Sequence, residues 1–321
     1  MPRITVIIPT HNGADRIQET IESLAHQDLP RNEYEVIVVD NASTDDTKTV
    51  VEEVSRKHGL EVCYIYEPQL GLHNARHAGA RNARGEILAY TDDDVICDKV
   101  WLRELLNCYD SDKVGCVGGK VLPTWEVPPP KWILRYPGAL ALLDHGDEVK
   151  ELKWPEAIYG CNFSIRRDVL FAVGGFNPDS FGNIWLGDGE TGLLRKVYDA
   201  GWKVVYNPKA VVWHRIPAAR LTLDYMKRRF AYQGAADAYT RYHYRGVGRL
   251  ELVLHGLVFM GSAVIFGLLA MLTVPAPIAV RHHQILRASY CWSRAGYTLR
   301  LLYDRQLQAL VAKERWLEND R

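Results

Sequence analysis

The sequence has no surplus of charge. Its 39 Lys and Arg balance 39 Asp and Glu for a formal net charge of +0, so no global electrostatic pull toward nucleic acid exists. Cysteine is scarce and scattered. The six, at positions 63, 97, 108, 116, 161 and 291, form no Cys-x-x-Cys and no Cys/His cluster at zinc-ligand spacing. That excludes a zinc module and a disulfide framework and points to reduced thiols of a cytosolic chain. Residues 1–9 hold one Arg and a short β-branched run ending at Pro9. They lack the length and cleavage site of a signal peptide, so the bulk of the chain is expected on the cytoplasmic side. No GxGxxG follows the first strand-like run, which disfavours a dinucleotide oxidoreductase. Internal repeats and low-complexity tracts are also missing.

What the chain does have is core material. With 321 residues, 47% of them hydrophobic, it can build one large domain or two small ones. Strand-like runs at 4–9, 35–40, 62–66 and 87–90 alternate with helical patterns whose apolar positions include Ile17, Ile21 and Leu24. A second helix is expected from the Ser43, Thr44, Asp45 caps to about His58, and a third over 74–84. This alternation predicts an α/β fold with a mostly parallel central sheet, whose ligands sit beyond the carboxyl ends of the strands. A Pro-rich connection at 127–131 follows. Further strands are expected at 158–165, 204–206 and 211–214, with helices at 101–109, 168–172 and from 187 to Ala200, the last closed by Gly201.

The most informative local feature is Asp92, Asp93 and Asp94 in a row behind the strand-like run 86–90. Two like charges about 4 Å apart repel by roughly 1 kcal/mol in water and roughly 4 kcal/mol near a protein surface. A divalent ion shared with a diphosphate would turn that repulsion into affinity. Turn formation and capping of the helix near Asp98 are the plainer explanation.

One stretch departs from the pattern of a soluble chain. Residues 252–274 are almost wholly apolar, broken only by His255, Ser262 and Thr273 as polar side chains, long enough to span hydrocarbon as a helix. Lys227, Arg228, Arg229, Arg241, Arg245 and Arg249 precede it, and Arg281, Arg287, Arg294, Arg300 and Arg305 follow, so charge asymmetry gives no orientation. A single span, a hairpin bent at 275–277 and an in-plane helix all satisfy the pattern, as does a buried core helix.

Val6-Ile-Ile-Pro-Thr-His-Asn12, Val38-Val-Asp-Asn-Ala-Ser-Thr-Asp45, the Asp triplet, Gly174-Gly-Phe176 and Gly187-Asp-Gly-Glu190 stand in the order seen in family 2 glycosyltransferases of the GT-A fold. The chain resembles that family over residues 4–220. Its apolar tail resembles those of bacterial members working at the inner face of the plasma membrane. The resemblance implies a GT-A αβα nucleotide-binding sandwich over residues 1–220 and a helical, membrane-associated region over 221–321, anchored or spanning through about 252–280.

It also implies roles. Pro9 and Thr10 resemble residues bordering the nucleotide, and Asp40 the carboxylate that reads the nucleobase edge, with a turn role as its alternative. Asp92 and Asp94 resemble the two members of the DxD motif, Asp92 near ribose and metal and Asp94 the metal ligand, with Asp93 beside them in the donor-binding set. Arg76 would face the donor diphosphate; Glu67 and Arg81 are weaker candidates, and the arginines could equally line a solvated helix face. His214 resembles a histidine that completes the metal site in some members. Imidazole with carboxylates suits Mn²⁺, carboxylates with diphosphate suit Mg²⁺.

The departure lies at the base. Where members commonly carry Glu-Asp, this chain has Asp188 and Gly189, leaving Asp188, or Glu190 one place on, as catalytic base; both would also suit a helix N-terminus. Residues 159–162 and 176–185 are expected to shape the acceptor pocket or the core. The resulting expectation is an inverting, metal-dependent transfer from a nucleotide sugar to a glycan or lipid-linked acceptor beside membrane lipid, in cell-surface polysaccharide or glycolipid synthesis. UDP-sugars are the most frequent donors of such members, with GDP and dTDP open. A nucleotidyltransferase would need a Gly-rich basic loop that His11-Asn-Gly-Ala14 does not supply. An inactive nucleotide-sugar binder draws support from the altered pair alone.

Overall fold

The computed structural model describes residues 1–111, 113–181, 184–185 and 187–318. β1 (Ile4–Thr10) is buried at every position, as a strand covered on both faces must be. It pairs parallel with β2 (Tyr34–Asp40) on one side and β4 (Ile87–Tyr90) on the other, and β2 pairs parallel with β3 (Val62–Tyr66). Ile4, Val6 and Ile8 pack under α1 (Ile17–Ala25) and α2 (Thr47–His58), while Ile7 packs under α3 (Leu72–Asn82). The period-two alternation of a strand thus builds two cores, one on each face. α3 lies so close to β1 that a Cβ on Gly79 would collide with the Ile7 side chain.

The second half adds β5 (Val95–Cys97), α4 (Trp101–Leu106), β6 (Val114–Trp125), β7 (Lys150–Leu152), β8 (Phe163–Arg166), α5 (Arg167–Ala172), the short pair β9 (Ser180–Phe181) and β10 (Ile184–Trp185), α6 (Gly189–Asp199) and β11 (Lys203–Ile216). The main sheet runs β3-β2-β1-β4-β8-β6-β11-β5, with β7 against β11. β8 is antiparallel to both β4 and β6, whereas β11 is parallel to β6 and antiparallel to β5 and β7. The sheet is therefore parallel through its first four strands and mixed beyond. Between β6 and β8 the chain returns with no α-helix, since an antiparallel neighbour needs no crossover, whereas β11, parallel to β6, is reached through α6.

Three local expectations change. The strand expected over 158–165 shortens to Phe163–Arg166, because Asn162 turns inward, accepting from Trp101 Nε1 and donating to the carbonyls of Lys120 and Ala210. β6 was not anticipated: Gly115, Gly118 and Gly119 weaken its strand signal, yet a Cβ on Gly119 would overlap the Ala210 carbonyl of β11. The two strands expected at 204–206 and 211–214 are one, broken by a bulge between Asn207 and Val212.

Beyond residue 220 come α7 (Leu223–Arg245), α8 (Arg249–Leu272), α9 (Ile278–Arg300) and α10 (Arg305–Ala312). α9 lies between α7 and α8: Gly234 of α7 leaves room for the Tyr290 carbonyl, and Gly256 of α8 for Leu299. At the start of α9, His283 Nδ1 is 3.0 Å from the Tyr136 hydroxyl and the His282 ring packs edge-on against Trp132. After α10 the chain returns to the sheet. The N–H groups of Trp316 and Leu317 donate to the Gly174 carbonyl at 2.8 and 2.9 Å, and Leu317 is fully buried in the core beneath α3. α9 therefore lies along the body, and α8 is the outermost layer, with Leu257, Val264, Leu268 and Met271 each more than half exposed.

Candidate active site

The carboxyl ends of β1, β2 and β4 form one rim, and the Asp triplet sits on it with its side chains pointing three ways. Asp93 turns inward. Its Oδ2 accepts from Thr10 Oγ1 at 2.6 Å and its Oδ1 from Arg16 Nε at 2.9 Å, while Arg16 also donates to the carbonyls of His11 and Asn12. Thr10 and Asp93 thus lock the first βα loop against the triplet. Burial raises the Asp93 carboxyl above its ordinary range in spite of Arg16.

Asp94 turns toward β11. Its Oδ2 accepts from Arg220 Nη2 at 2.8 Å, and its Oδ1 lies 3.4 Å from His214 Nε2. His214 Nδ1 lies 3.1 Å from the Leu140 carbonyl and its Nε2 lies 2.8 Å from Arg220 Nη1. These partners fix the tautomer: Nδ1–H donates to Leu140 and the Nε2 lone pair faces Asp94 and Arg220. Burial alone would raise Asp94, but the guanidinium groups of Arg220 and Arg16 hold its carboxyl below the usual range.

Asp92 remains on the open rim, its side chain 34% exposed, with Oδ1 3.9 Å from Arg76 Nη2. Desolvation, against the pull of Arg76, sets its carboxyl above the ordinary range. Arg76 is no solvated residue: its side chain is 3% exposed, its guanidinium lies 4.9 Å over the Phe176 ring, and Nη1 is 3.5 Å from Glu190 Oε2. Gly160 makes this possible, since a Cβ there would overlap Nη2. Arg76 Nε has no partner among the described residues. Asp92 and Glu190 consequently flank one buried cation, and Asp179 joins them: burial, then Glu190, push its carboxyl up, with Arg76 opposing, and its Oδ2 is buried without a partner among the described residues.

The two carboxylates named for the base part ways. Glu190 reaches Arg76 and accepts from the Gly160 N–H at 3.4 Å. Asp188 points to α7, its oxygens accepting from Asn177 Nδ2 at 2.9 Å and Thr240 Oγ1 at 3.1 Å. Asp40 is buried, taking Ser43 N–H at 2.8 Å and the Tyr64 hydroxyl, with Pro9 one strand over in register with Val39. Glu67 accepts from the Gln69 N–H, a turn role. Phe176, Cys161 and Asn162 are fully or almost fully buried, so they form core instead of a sugar-stacking wall; Tyr159 stays partly exposed. Residues 182 and 183 of the expected acceptor segment lie outside the described residues.

Sequence reasoning passed over Asp179, Arg220, Arg16 and Asn41. Asn41 bridges β2 to the loop before α3, donating to the Glu67 and Gln69 carbonyls and accepting from the Gly71 N–H. Asp179 had a legible signal, an acid three residues after Gly174-Gly-Phe176; Arg220 was lost among its basic neighbours.

A mixed sheet with a parallel half, an Asp triplet on its rim and Glu190 facing it from a later helix defines a GT-A glycosyltransferase. The chain belongs to glycosyl transferase family 2, whose profile matches residues 5–174. It is 28% identical to glycosyltransferase AglE of Haloferax volcanii over 236 residues, 72% of this chain and 71% of that one. It is also 28% identical to succinoglycan biosynthesis protein ExoM of Rhizobium meliloti over 221 residues, 67% of this chain and 68% of that one. Among solved structures it overlays on mannosyltransferase PcManGT from Pyrobaculum calidifontis, in complex with GDP-Man and Mn²⁺, with TM-score 0.61 and 21% identity over 95% of this chain and 88% of that one. Staphylococcus aureus TarS 1-349 in complex with UDP overlays with TM-score 0.54 and 17% identity, covering 92% and 91%.

Proposed function

We propose that this glycosyltransferase moves a sugar from a nucleotide-sugar donor, a UDP-sugar first of all, to a lipid-linked or glycan acceptor at the cytoplasmic face of the plasma membrane, inverting the anomeric carbon, in cell-surface polysaccharide or glycolipid synthesis. The observation that carries this reading is the buried Arg76 between Asp92 on the donor rim and Glu190 on α6. On this reading residues 1–220 form the catalytic unit, and 221–321 a helical region that supports it and meets the membrane. Pro9, Thr10, Asp40, Asp92 and Asp93 shape the donor end. Arg76 offers its charge to the diphosphate.

The acceptor hydroxyl attacks the anomeric carbon as the bond from that carbon to the diphosphate oxygen breaks, and the leaving diphosphate keeps the electron pair. Glu190 takes the hydroxyl proton; Asp188, with both oxygens already accepting, is a positioning residue for α6. One such displacement inverts configuration.

Asp94 and His214 suit a divalent ion. A carboxylate oxygen and an imidazole lone pair face each other at 3.4 Å, and the far imidazole nitrogen is fixed by the Leu140 carbonyl, as ligand histidines are. No group of three or more His, Cys, Asp or Glu that could hold an ion occurs among the described residues, so donor oxygens would complete the shell. Bound there, Mn²⁺ or Mg²⁺ would neutralise charge on the leaving diphosphate. Arg220 bridges the same two groups and must swing aside.

Membrane attachment through α8 is supported by its apolar exposed face. A span is disfavoured because α9, packed beside α8, carries Arg281, Arg287 and Arg294 and lies along the body, so an in-plane anchor fits. Thermal stabilisation by UDP, GDP and dTDP, with and without Mn²⁺, beside Asp94→Ala, tests the donor site. A metal-dependent shift for one nucleotide, lost in the variant, is expected; no shift for any nucleotide in folded protein would overturn the assignment.

A further inference from the structure

A cleft of about 530 Å³ lies away from the donor rim. It lies between the segment around Tyr136 to Ala139 and the helices α7, α8 and α9. Its walls are aromatic, with Tyr136, Phe230, Phe259 and Tyr290, and two of its lining residues are cations, Arg229 and Arg287, with no carboxylate among the lining residues. Asp237 of α7 is occupied by the Tyr290 hydroxyl and by Arg294 at 3.2 Å. Arg229 is held by the Ala139 carbonyl and the exposed Arg287 by the Phe266 ring, so two guanidinium groups stand at the edge of an apolar pocket, an arrangement suited to an anionic head.

Position adds to composition. One wall ends at Leu140, whose carbonyl fixes His214, and Arg229 Nε donates to the Ala139 carbonyl at 3.3 Å. Arg229 also acts electrostatically on Tyr159 and Asp179, so this end of the cleft adjoins the proposed base. Phe259 belongs to α8, whose exposed apolar face is the proposed membrane surface, and Arg287 lies 4.8 Å over the ring of Phe266 on the same helix. The cleft therefore connects the apolar face of α8 to the catalytic carboxylates, with positive charge along the way.

We propose that this cleft seats the acceptor, and that the acceptor is a lipid whose phosphate or diphosphate carries a sugar: its chain runs along Phe230, Phe259 and Tyr290, its phosphate meets Arg229 and Arg287, and a hydroxyl of that sugar reaches Glu190. This rests on the glycosyltransfer reading above and narrows its acceptor to one chemical class. Charge complementarity with the two arginines selects a phosphorylated lipid over a neutral glycolipid. A relative, glucosyl-dolichyl phosphate glucuronosyltransferase of Haloferax volcanii, 25% identical over 241 residues, has a name of the same chemistry.

The test uses the full chain in detergent and reads binding by native mass spectrometry. The probes are a long-chain isoprenyl monophosphate, the matching isoprenol and inorganic phosphate. The phosphate lipid is expected to bind at least about tenfold more tightly than the alcohol. Arg287→Gln should remove most of that preference, and Phe230→Ala should weaken both lipids, while stabilisation by nucleotide with Mn²⁺ stays unchanged in either variant. Equal binding of phosphate lipid and alcohol would reduce the cleft to an apolar groove and overturn the proposal, whereas weakening of the phosphate lipid alone by inorganic phosphate would support it. Indifference to both substitutions would place the lipid elsewhere. If wild-type protein ignores every nucleotide yet still selects the phosphate lipid through Arg287, the donor reading fails and the cleft assignment stands.

Discussion

Replacing Arg76 with Met removes the only cation recorded within ion-pair distance of both Asp92 and Glu190 among the described residues, while keeping most of the side-chain volume. At separations of 3.9 and 3.5 Å, each pair is worth about 4–5 kcal/mol of gross attraction at an effective dielectric near 20. The cost of desolvating Arg76 disappears with the substitution, so the net loss for breaking such a buried cluster is about 3–5 kcal/mol. Asp92 is 34% and Glu190 28% exposed, and solvent screening moves the expectation to the lower end, about 3 kcal/mol. Urea denaturation without nucleotide should show this as a lower midpoint with an unchanged slope. Adding Glu190→Gln to Arg76→Met should return part of the loss, because one stranded carboxylate is removed, and a double-mutant cycle should give a coupling of about 1 kcal/mol or more. Gly160→Ala should mimic the defect by pushing on the guanidinium. A midpoint for Arg76→Met within about 0.5 kcal/mol of wild type, with no coupling to Glu190, would refute the cluster as an electrostatic unit.

Glu190→Gln should lower kcat by roughly 10²–10⁴-fold with folding intact, whereas Asp188→Asn should chiefly lower stability by disturbing Asn177 and Thr240; steady-state rates beside melting curves separate the two. Acid should destabilise the protein early. Burial, with Arg76 and Lys313, holds the buried His73 imidazole down to about 4 from 6.5, so below pH 6.5 the unfolded chain takes up a proton the folded one refuses. This contribution is complete above pH 6.5 and is lost as pH falls toward 4, by about 3 kcal/mol in all; the gap between urea midpoints at pH 7.5 and 4.5 should narrow in His73→Gln, with the buried His77 keeping part of it. The Leu257→Glu, Val264→Glu, Leu268→Glu triple variant should release the protein from anionic vesicles on flotation while leaving nucleotide stabilisation in place; retained flotation would show that α8 is not the anchor.

Much of the first half was legible because it depends on local rules. A strand covered on both faces must be apolar throughout, so β1, β2 and β4 announced themselves, and their alternation with helices placed Asp40 and Asp92 to Asp94 on one rim. The ordered motifs then named the family. β6 stayed hidden because its glycines serve a close approach between strands that only the assembled sheet contains, and a propensity reading counts them against a strand.

Tertiary structure decided what each charged group faces. Three adjacent aspartates look equivalent in sequence, yet Thr10 and Arg16 take Asp93, Arg220 and His214 hold Asp94, and only Asp92 stays on the open rim. Arg76 could have been a solvated helix residue until α3 was seen pressed against Phe176 and Gly160. The same holds for Asp188 and Glu190, two residues apart on a helix start and facing different partners. Composition and periodicity determine which segments must be buried, since that follows from each segment's own exchange with water. Which carboxylate meets which cation depends on residues up to 126 positions apart, as for Asp94 and Arg220, and those distances exist only once the sheet and helices have closed around them.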